Sequence, residues 1–139
     1  MRIAMFGMMI CLASSTAIAQ AAAVPNLVGT WKVTGEAAGA RTGKAFAGFA
    51  AGPVLNKIAP LTLVIEKQEE RGFVGYVLLP DGSKDNFAGV IKHDGKEALL
   101  STDNGKGTID FYGSEIEYCF LDDMAEMDVA TCRLMQKAP

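Results

Sequence analysis

The feature that most constrains the fold of this chain is a series of short strand-like runs separated by tight-turn dipeptides. Asp81-Gly82, Asp94-Gly95 and Asn104-Gly105 each lie between two such runs. Asx-Gly pairs favour the two-residue turns that join antiparallel strands, and their spacing is near the ~8 to 12 residues typical of all-β domains. The pattern predicts an antiparallel sheet in which consecutive strands are neighbours.

The runs between residue 27 and the C-terminal end predict a closed barrel. In several of them apolar side chains alternate with polar ones or with glycine, as in Phe87, Gly89 and Ile91. Glycine inside a strand allows the strong coiling that closure requires. We therefore expect an all-β fold, an eight-stranded antiparallel up-and-down β-barrel, with strands near residues 27–36, 61–69, 72–79, 85–93, 97–103, 107–112, 115–121 and 128–136.

The N-terminal residues have the composition of a secretory signal peptide. Met1-Arg2 provides a positive start, and Ala17-Ile18-Ala19 has the small residues of a cleavage site. The apolar part spans only about ten residues, short of the ~20 that cross a bilayer. We expect a signal peptide at residues 1–19, a single domain at 20–139, no stable membrane span in the mature chain and a periplasmic or secreted location.

Charge and residue spacing argue against several classes of function. The chain has 13 Lys and Arg against 16 Asp and Glu and no basic stripe, so nucleic acid is not an expected partner. It has no Cys-x-x-Cys spacing, and its single histidine, His93, stands beside an Asp-Gly turn. We expect no metal site, no other cofactor and no catalytic residues.

Two cysteines remain once the signal peptide is removed, and both lie in the C-terminal part of the chain. Cys119 and Cys132 flank a predicted hairpin with an acidic tip between Asp122 and Asp128. Directly opposed residues at a non-hydrogen-bonded position lie ~4.5 Å apart at Cα, within the range that a disulfide spans. A reactive thiol pair and metal ligands are the alternatives. We expect a Cys119–Cys132 disulfide, which agrees with an exported protein.

A long segment, residues 38–60, interrupts the pattern of tight turns. Loops of this length in compact domains are commonly lids or binding loops, and this one carries apolar residues. A lid over a ligand, a plug that closes the barrel and a surface for docking onto a partner or membrane remain as interpretations. The candidate ligand contacts are Phe46, Phe49 and Leu55 from this segment and, from the strands, Phe73, Phe87, Tyr118 and Phe120, whose direction depends on strand register.

The chain resembles a known class of barrels. Gly29-Thr30-Trp31 in the first run and Arg133 in the last are similar to features of the calycins, which include lipocalins and avidins. The chain more closely resembles a family of uncharacterised bacterial secreted proteins of this class. The matching residues are Val28-Gly29-Thr30-Trp31-Lys32, Leu61-Thr62-Leu63, Gln68, Arg71-Gly72-Phe73, Phe87, Gly89-Val90-Ile91, Asp94-Gly95-Lys96, Glu117, Cys119, Val129-Ala130 and Cys132.

This resemblance covers most of residues 27–135 but leaves segment 38–60 without a counterpart. It implies a calycin-like barrel and export, with structural roles for Gly29, Trp31 and Arg133, the arginine packed on the indole ring. It implies no activity. A single Trp31 departs from the several tryptophans that line avidin-like biotin sites, so biotin is not an expected ligand.

Three functions fit these observations. The first is an exported binding protein that holds a small apolar or amphipathic ligand in the barrel. The second is a secreted or periplasmic protein-interaction module, such as a hydrolase inhibitor, that uses the hairpin tips of a filled barrel. The third and weakest is an enzyme. How far side chains fill the barrel separates the first from the second, and the oligomeric state is left open.

The signal peptide generates a prediction. Cleavage should follow Ala19, because small residues occupy both positions that signal peptidase reads. Intact-mass analysis of the exported protein should therefore show a chain that begins at Gln20. Retention of residues 1–19, or a lipid attached to Cys11, would contradict this prediction.

Overall fold

The fold is entirely built from β-strands in the part of the chain that the structure describes. The computed structural model describes residues 23–43, 52–55, 60–124 and 127–139. Phe46, Phe49 and the predicted signal peptide lie outside these ranges. The strands are β1 (Gly29–Gly43), β2 (Val54–Leu55), β3 (Thr62–Glu69), β4 (Gly72–Leu78), β5 (Lys84–Ile91), β6 (Glu97–Thr102), β7 (Gly105–Tyr112), β8 (Glu115–Met124) and β9 (Met127–Lys137).

The sheet closes on itself to form a barrel. From β3 to β9 each strand pairs with the next in antiparallel fashion, and β1 pairs with both β3 and β9. The closed ring thus has eight strands, with the two-residue β2 added beside β1 where Leu55 pairs with Ala40. The predicted eight-stranded antiparallel up-and-down barrel is confirmed.

The strands next to the closure are longer than their sequence pattern predicts. β1 continues to Gly43 because residues from Ala37 onward pair with β9, after a register irregularity that begins at Val33. This long-range pairing extends a run of small residues that carries no alternation of its own. Residues 38–43, expected in the long segment, are therefore strand. The acidic tip is shorter too, since β8 reaches Met124 and β9 starts at Met127.

One end of the barrel, here called the lower end, is covered by the residues that precede β1. Leu27 is buried beneath Trp31, whose indole Nε1 donates a hydrogen bond to the Leu27 carbonyl at 2.9 Å. Gln68 holds this segment in place, because its Oε1 accepts from the Leu27 amide at 2.8 Å and its Nε2 donates to the Pro25 carbonyl at 2.9 Å. These bonds satisfy the backbone of the covering segment while its leucine seals the core.

Two of the predicted turns have the geometry that their glycines allow. Gly82 and Gly95 have φ of 84° and 68°, in the left-handed region that glycine enters most easily. Asp81 stabilises the first turn, where its Oδ1 accepts from the Ser83 hydroxyl at 2.6 Å and the Ser83 amide at 2.9 Å, and these bonds lower the pKa of the carboxyl group. The third predicted turn, Asn104-Gly105, ends one residue earlier than expected, because Gly105 is the first residue of β7.

Glycines inside the strands provide space for aromatic rings on neighbouring strands. A Cβ atom at Gly89 would collide with the ring of Phe73, its direct partner. One at Gly75 would collide with the Val64 carbonyl oxygen on β3 and would also lie 2.9 Å from Cζ of Phe87. At Gly105 and Gly107 the nearest atom is likewise a carbonyl oxygen on the facing strand, and the rings of Phe120 and Tyr118 follow at 2.7 and 3.1 Å. The glycines therefore make room for inward-facing rings as well as allowing the strands to coil.

The predicted disulfide is present and lies on the outer face of the barrel. Cys119 and Cys132 are directly opposed in the β8–β9 ladder, with Cα atoms 4.0 Å apart and an S–S bond of 2.05 Å. Their neighbours Tyr118 and Arg133 are buried and point the other way. The bridge therefore holds the register of this hairpin without occupying the interior.

The glycine–aromatic packing predicts the outcome of two matched substitutions. Gly89→Ala should destabilise the fold by about 1–3 kcal/mol, the usual range for overpacking, because the added methyl group meets the Phe73 ring. Gly72→Ala is the control, since the nearest atom to its Cβ is the Glu69 carbonyl oxygen at 3.7 Å.

Denaturant unfolding of both variants measures the difference. Phe73→Leu and Gly89→Ala together should cost less than the sum of their separate effects, because the leucine removes the ring that the methyl group meets. Equal effects of the two alanines would show that ring contact is not the reason for Gly89.

Candidate ligand site at the upper end of the barrel

The four aromatic residues proposed as interior contacts all face inward. Phe73, Phe87 and Tyr118 are buried, and Phe120 is half-buried. Phe73 and Phe87 pack edge to face with ring centroids 6.0 Å apart, and Tyr118 and Phe120 lie at the same separation. Together with aliphatic side chains they fill the lower and middle interior with Leu27, Trp31, Leu63, Ile65, Val77, Ile91, Ala98, Leu100, Ile109, Ile116 and Met135.

The upper end, opposite to Leu27, has a different character. Apart from the buried Met127, the inward-facing side chains here are half-buried, and most of them are polar. Strand register determines which side chains face inward at this end. Thr131 pairs with Phe120 and Gly39, and Asp122 pairs with Val129 and Gly105. The inward-facing residues of this end include Arg41, Asp85, Thr102, Phe120, Asp122, Val129 and Thr131. These side chains are therefore in part accessible to solvent, unlike those of the lower and middle interior.

Arg133 lies between the apolar interior and this polar end. It is 7% exposed, a charged side chain buried among the apolar residues of the described core. Its Nη1 donates to the Thr131 hydroxyl at 2.7 Å, whereas its Nε has no hydrogen-bond partner among the described residues. Burial lowers the pKa of the guanidinium, since a low-polarity environment disfavours its charged form.

Tyr118 is the neighbour of Arg133 on the facing strand, where the two residues are directly paired. Burial raises the pKa of its phenol far above the ordinary value. The positive charge of Arg133 opposes this rise, and the negative charges of Asp85 and Asp122 add to it. Tyr118 is therefore a neutral hydroxyl group at every physiological pH, able to donate one hydrogen bond.

This arrangement has the chemistry of an anion site with an apolar wall. A guanidinium group binds a carboxylate through two parallel N–H donors, and the donation of Nη1 to Thr131 leaves the edge formed by Nε and Nη2. The Tyr118 hydroxyl lies on the adjacent strand, and the half-buried Phe120 stands one inward position above it. An amphipathic molecule with an acidic group would satisfy the charge and cover the ring.

The structure places two of the predicted residues differently from the sequence analysis. Leu55 pairs with Ala40, whose side faces solvent, and is 68% exposed, so it is not an interior contact. The ammonium group of Lys137 lies over the buried Trp31 ring, with Nζ 5.8 Å from the ring centroid. Arg133 lies further up β9, beyond Met135, so the expected packing of Arg133 on Trp31 is not formed.

Gly29, the other residue expected in a structural role, precedes Trp31 at the start of β1 with φ of 139°. The aliphatic part of Lys137 occupies the space where a side chain would stand. His93 is exposed on the β5–β6 turn. Glu117, Cys119 and Cys132 form a group of potential metal ligands in the described residues, but the two sulfur atoms are bonded to each other.

The polar residues of the upper end were not identified from the sequence. The residues in question, Asp85, Asp122 and Thr131, lie in or beside predicted strands. Side chains of a strand alternate between its two faces, so one residue known to face inward fixes the direction of all the others on that strand. The signal that could have found them is the disulfide. If Cys119 and Cys132 face outward, Tyr118, Phe120, Thr131 and Arg133 must face inward.

Comparisons with known proteins give no family for this chain and a distant likeness to a solved structure. No protein-family profile matches the chain. No curated protein matches it. A crystal structure of zebrafish ileal bile acid-binding protein complexed with cholic acid is similar, with 15% sequence identity, a TM-score of 0.43, and coverage of 80% of this chain and 98% of that chain. Within the described residues, no helix is long and apolar enough to cross a membrane.

The buried phenol of Tyr118 predicts how stability depends on alkaline pH. The pKa is near 10 in the unfolded chain and higher in the folded protein. The resulting stability is fully present below pH ~10 and is lost progressively as the pH rises toward the folded value.

Tyr118→Phe should therefore make the free energy of unfolding less sensitive to pH above 10. The measurement is denaturant unfolding from neutral to alkaline pH, with Tyr76→Phe, a tyrosine on the outer face of β4, as the control. An unchanged alkaline slope in Tyr118→Phe would show that the phenol is not buried as described.

Proposed function

We propose that this protein is an exported barrel that binds a small amphipathic ligand with an anionic group at the upper end of its interior. The observation that carries this proposal is Arg133, a buried, inward-facing guanidinium with an unused Nε donor. A buried charge is costly unless it is paired. A ligand carboxylate or sulfonate would offset that cost, and its apolar body would lie against Phe120 and Val129.

The packing of the lower interior limits the size of this ligand. Phe73, Phe87 and Tyr118 are buried together with the aliphatic core, so the space that an unfilled barrel would offer is occupied by side chains. The ligand would therefore bind near the upper end rather than extend through the barrel. For the segment that carries Phe46 and Phe49, a lid over this ligand, a plug and a docking surface all stay interpretations.

A protein-interaction module is the second candidate function. The same filled interior favours it, because a barrel packed with aromatic rings is a rigid support for surface contacts. Under this alternative Arg133 has a structural role, anchored to Thr131 and paired with Tyr118 across β8 and β9. The two functions differ in what removal of the Arg133 charge does.

Arg133→Met tests the proposal. The wild-type protein should bind 1-anilinonaphthalene-8-sulfonate, an apolar anionic fluorophore, in a saturable manner, and the variant should bind it at least tenfold more weakly, a loss of about 1.4 kcal/mol. Stability should stay equal or rise, because an apolar side chain of similar volume replaces a buried charge. Arg71→Met, which removes an exposed arginine, is the control.

The result has a clear alternative. If the wild type shows no saturable binding and Arg133→Met lowers the free energy of unfolding, Arg133 is structural and the interaction module becomes the better proposal. An uncharged apolar fluorophore, titrated in parallel, separates loss of the anion contact from loss of the apolar surface, because only the anionic probe should respond to Arg133→Met.

A further inference from the structure

The outer face of the barrel carries two adjacent rows of side chains that are almost free of charge. Each row crosses the same strands through directly paired residues, so its side chains stand next to one another. We call the two rows together the apolar belt. The first consists of Val90, Leu99, Thr108, Cys119 and Cys132, and the second of Val74, Ala88, Ser101, Lys106, Leu121 and Ala130.

The apolar belt is exposed in spite of its composition. Leu121 is 62% exposed, and Val74, Val90 and Leu99 are each between 45% and 47% exposed. A shallow groove of about 690 Å³ runs over β5 to β8 along these residues. Its walls are the outward side chains of the strands, so it is separate from the barrel interior. Contiguous exposed apolar surface of this kind marks a site of association.

A row of carboxylates borders the belt on its lower side. Glu97 pairs with Asp110, and Asp110 pairs with Glu117, on β6, β7 and β8. Like charges that are directly opposed destabilise a sheet. The ammonium of Lys92, 2.6 Å from Glu97 Oε2, offsets one of the three. A further cation beside Asp110 and Glu117 would relieve the remaining repulsion.

The belt supplies such a cation at its upper side, where Lys106 is its one charged residue. Lys106 and the carboxylate row lie on opposite borders of the neutral first row and on the same strands. A twofold axis that lies in this face and runs along the first row places Lys106 of each copy opposite the carboxylates of the other, with the two first rows in contact between them. The surface is thus complementary to itself in charge and in polarity.

We propose that the apolar belt is the contact face of a homodimer in which Lys106 of each copy pairs with the carboxylate row of its partner. Six strands about 4.8 Å apart and three rows about 6.8 Å apart give a face on the order of 300–600 Å². Standard interfaces bury about 800 Å² per partner. The dimer therefore belongs with the smaller, transient interfaces and dissociates on dilution.

The apolar contact is tested with Leu121→Asp. Sedimentation equilibrium of the protein expressed as the full chain, over a wide range of concentrations, should show a monomer–dimer equilibrium. Leu121→Asp should weaken the dimer at least about tenfold, as the loss of a central contact does. Leu79→Asp, an exposed leucine outside the belt, should leave the association constant unchanged, and thermal unfolding verifies that both variants fold.

The charge contact is tested by exchange. Lys106→Glu should weaken the dimer about tenfold or more, because each copy then brings a carboxylate to the partner's carboxylate row. The double variant Lys106→Glu with Asp110→Lys should recover most of the loss. Added salt should weaken the wild-type dimer and have little effect on a Lys106→Gln variant.

Three outcomes would overturn the proposal. One is a wild-type protein that stays monomeric at every concentration. Another is a dimer that Leu121→Asp and Leu79→Asp weaken equally. The third is monomeric wild type that binds an apolar fluorophore in a manner sensitive to Leu121→Asp, which would make the belt a small-molecule site. Probe binding that depends on Arg133 concerns the interior and does not bear on this test.

Discussion

The packing of aromatic rings against glycines on neighbouring strands is the interaction on which this barrel depends. A small closed barrel needs strands that coil strongly and an interior that is filled without gaps. Gly75 and Gly89 meet both needs, because a residue without a side chain bends easily and leaves room for the ring of Phe87 or Phe73. Large and small residues therefore alternate around the interior, so neighbouring side chains interlock.

This packing also decides where the interior is available for function. Rings and aliphatic side chains fill the lower and middle levels, and the segment before β1 covers the lower end through Leu27 and Gln68. Polar residues follow only at the upper end, next to Arg133. A buried guanidinium at that boundary contributes little to stability by itself. The proposed ligand would approach it from the upper end and offset the cost of burying its charge.

The sequence predicted the parts of the fold that local signals specify. The Asx-Gly turns, the alternation in β3 to β7 and the opposed cysteines led to the correct barrel and disulfide. The full length of β1 was missed, because the small residues Gly35 and Gly39 have no alternation and the strand exists through its pairing with β9. Arg133 was placed on Trp31 by resemblance, whereas the register puts Lys137 there. Which residues of the site face inward was decided by register, which periodicity alone does not provide.

The β8–β9 hairpin links the interior site to the outer belt. Tyr118 and Arg133 face inward, and so do Phe120 and Thr131. The disulfide lies between these two pairs and faces outward. Because a slip of one residue would exchange the two faces, the disulfide protects both surfaces against the same error. The two surfaces share strands but no side chains.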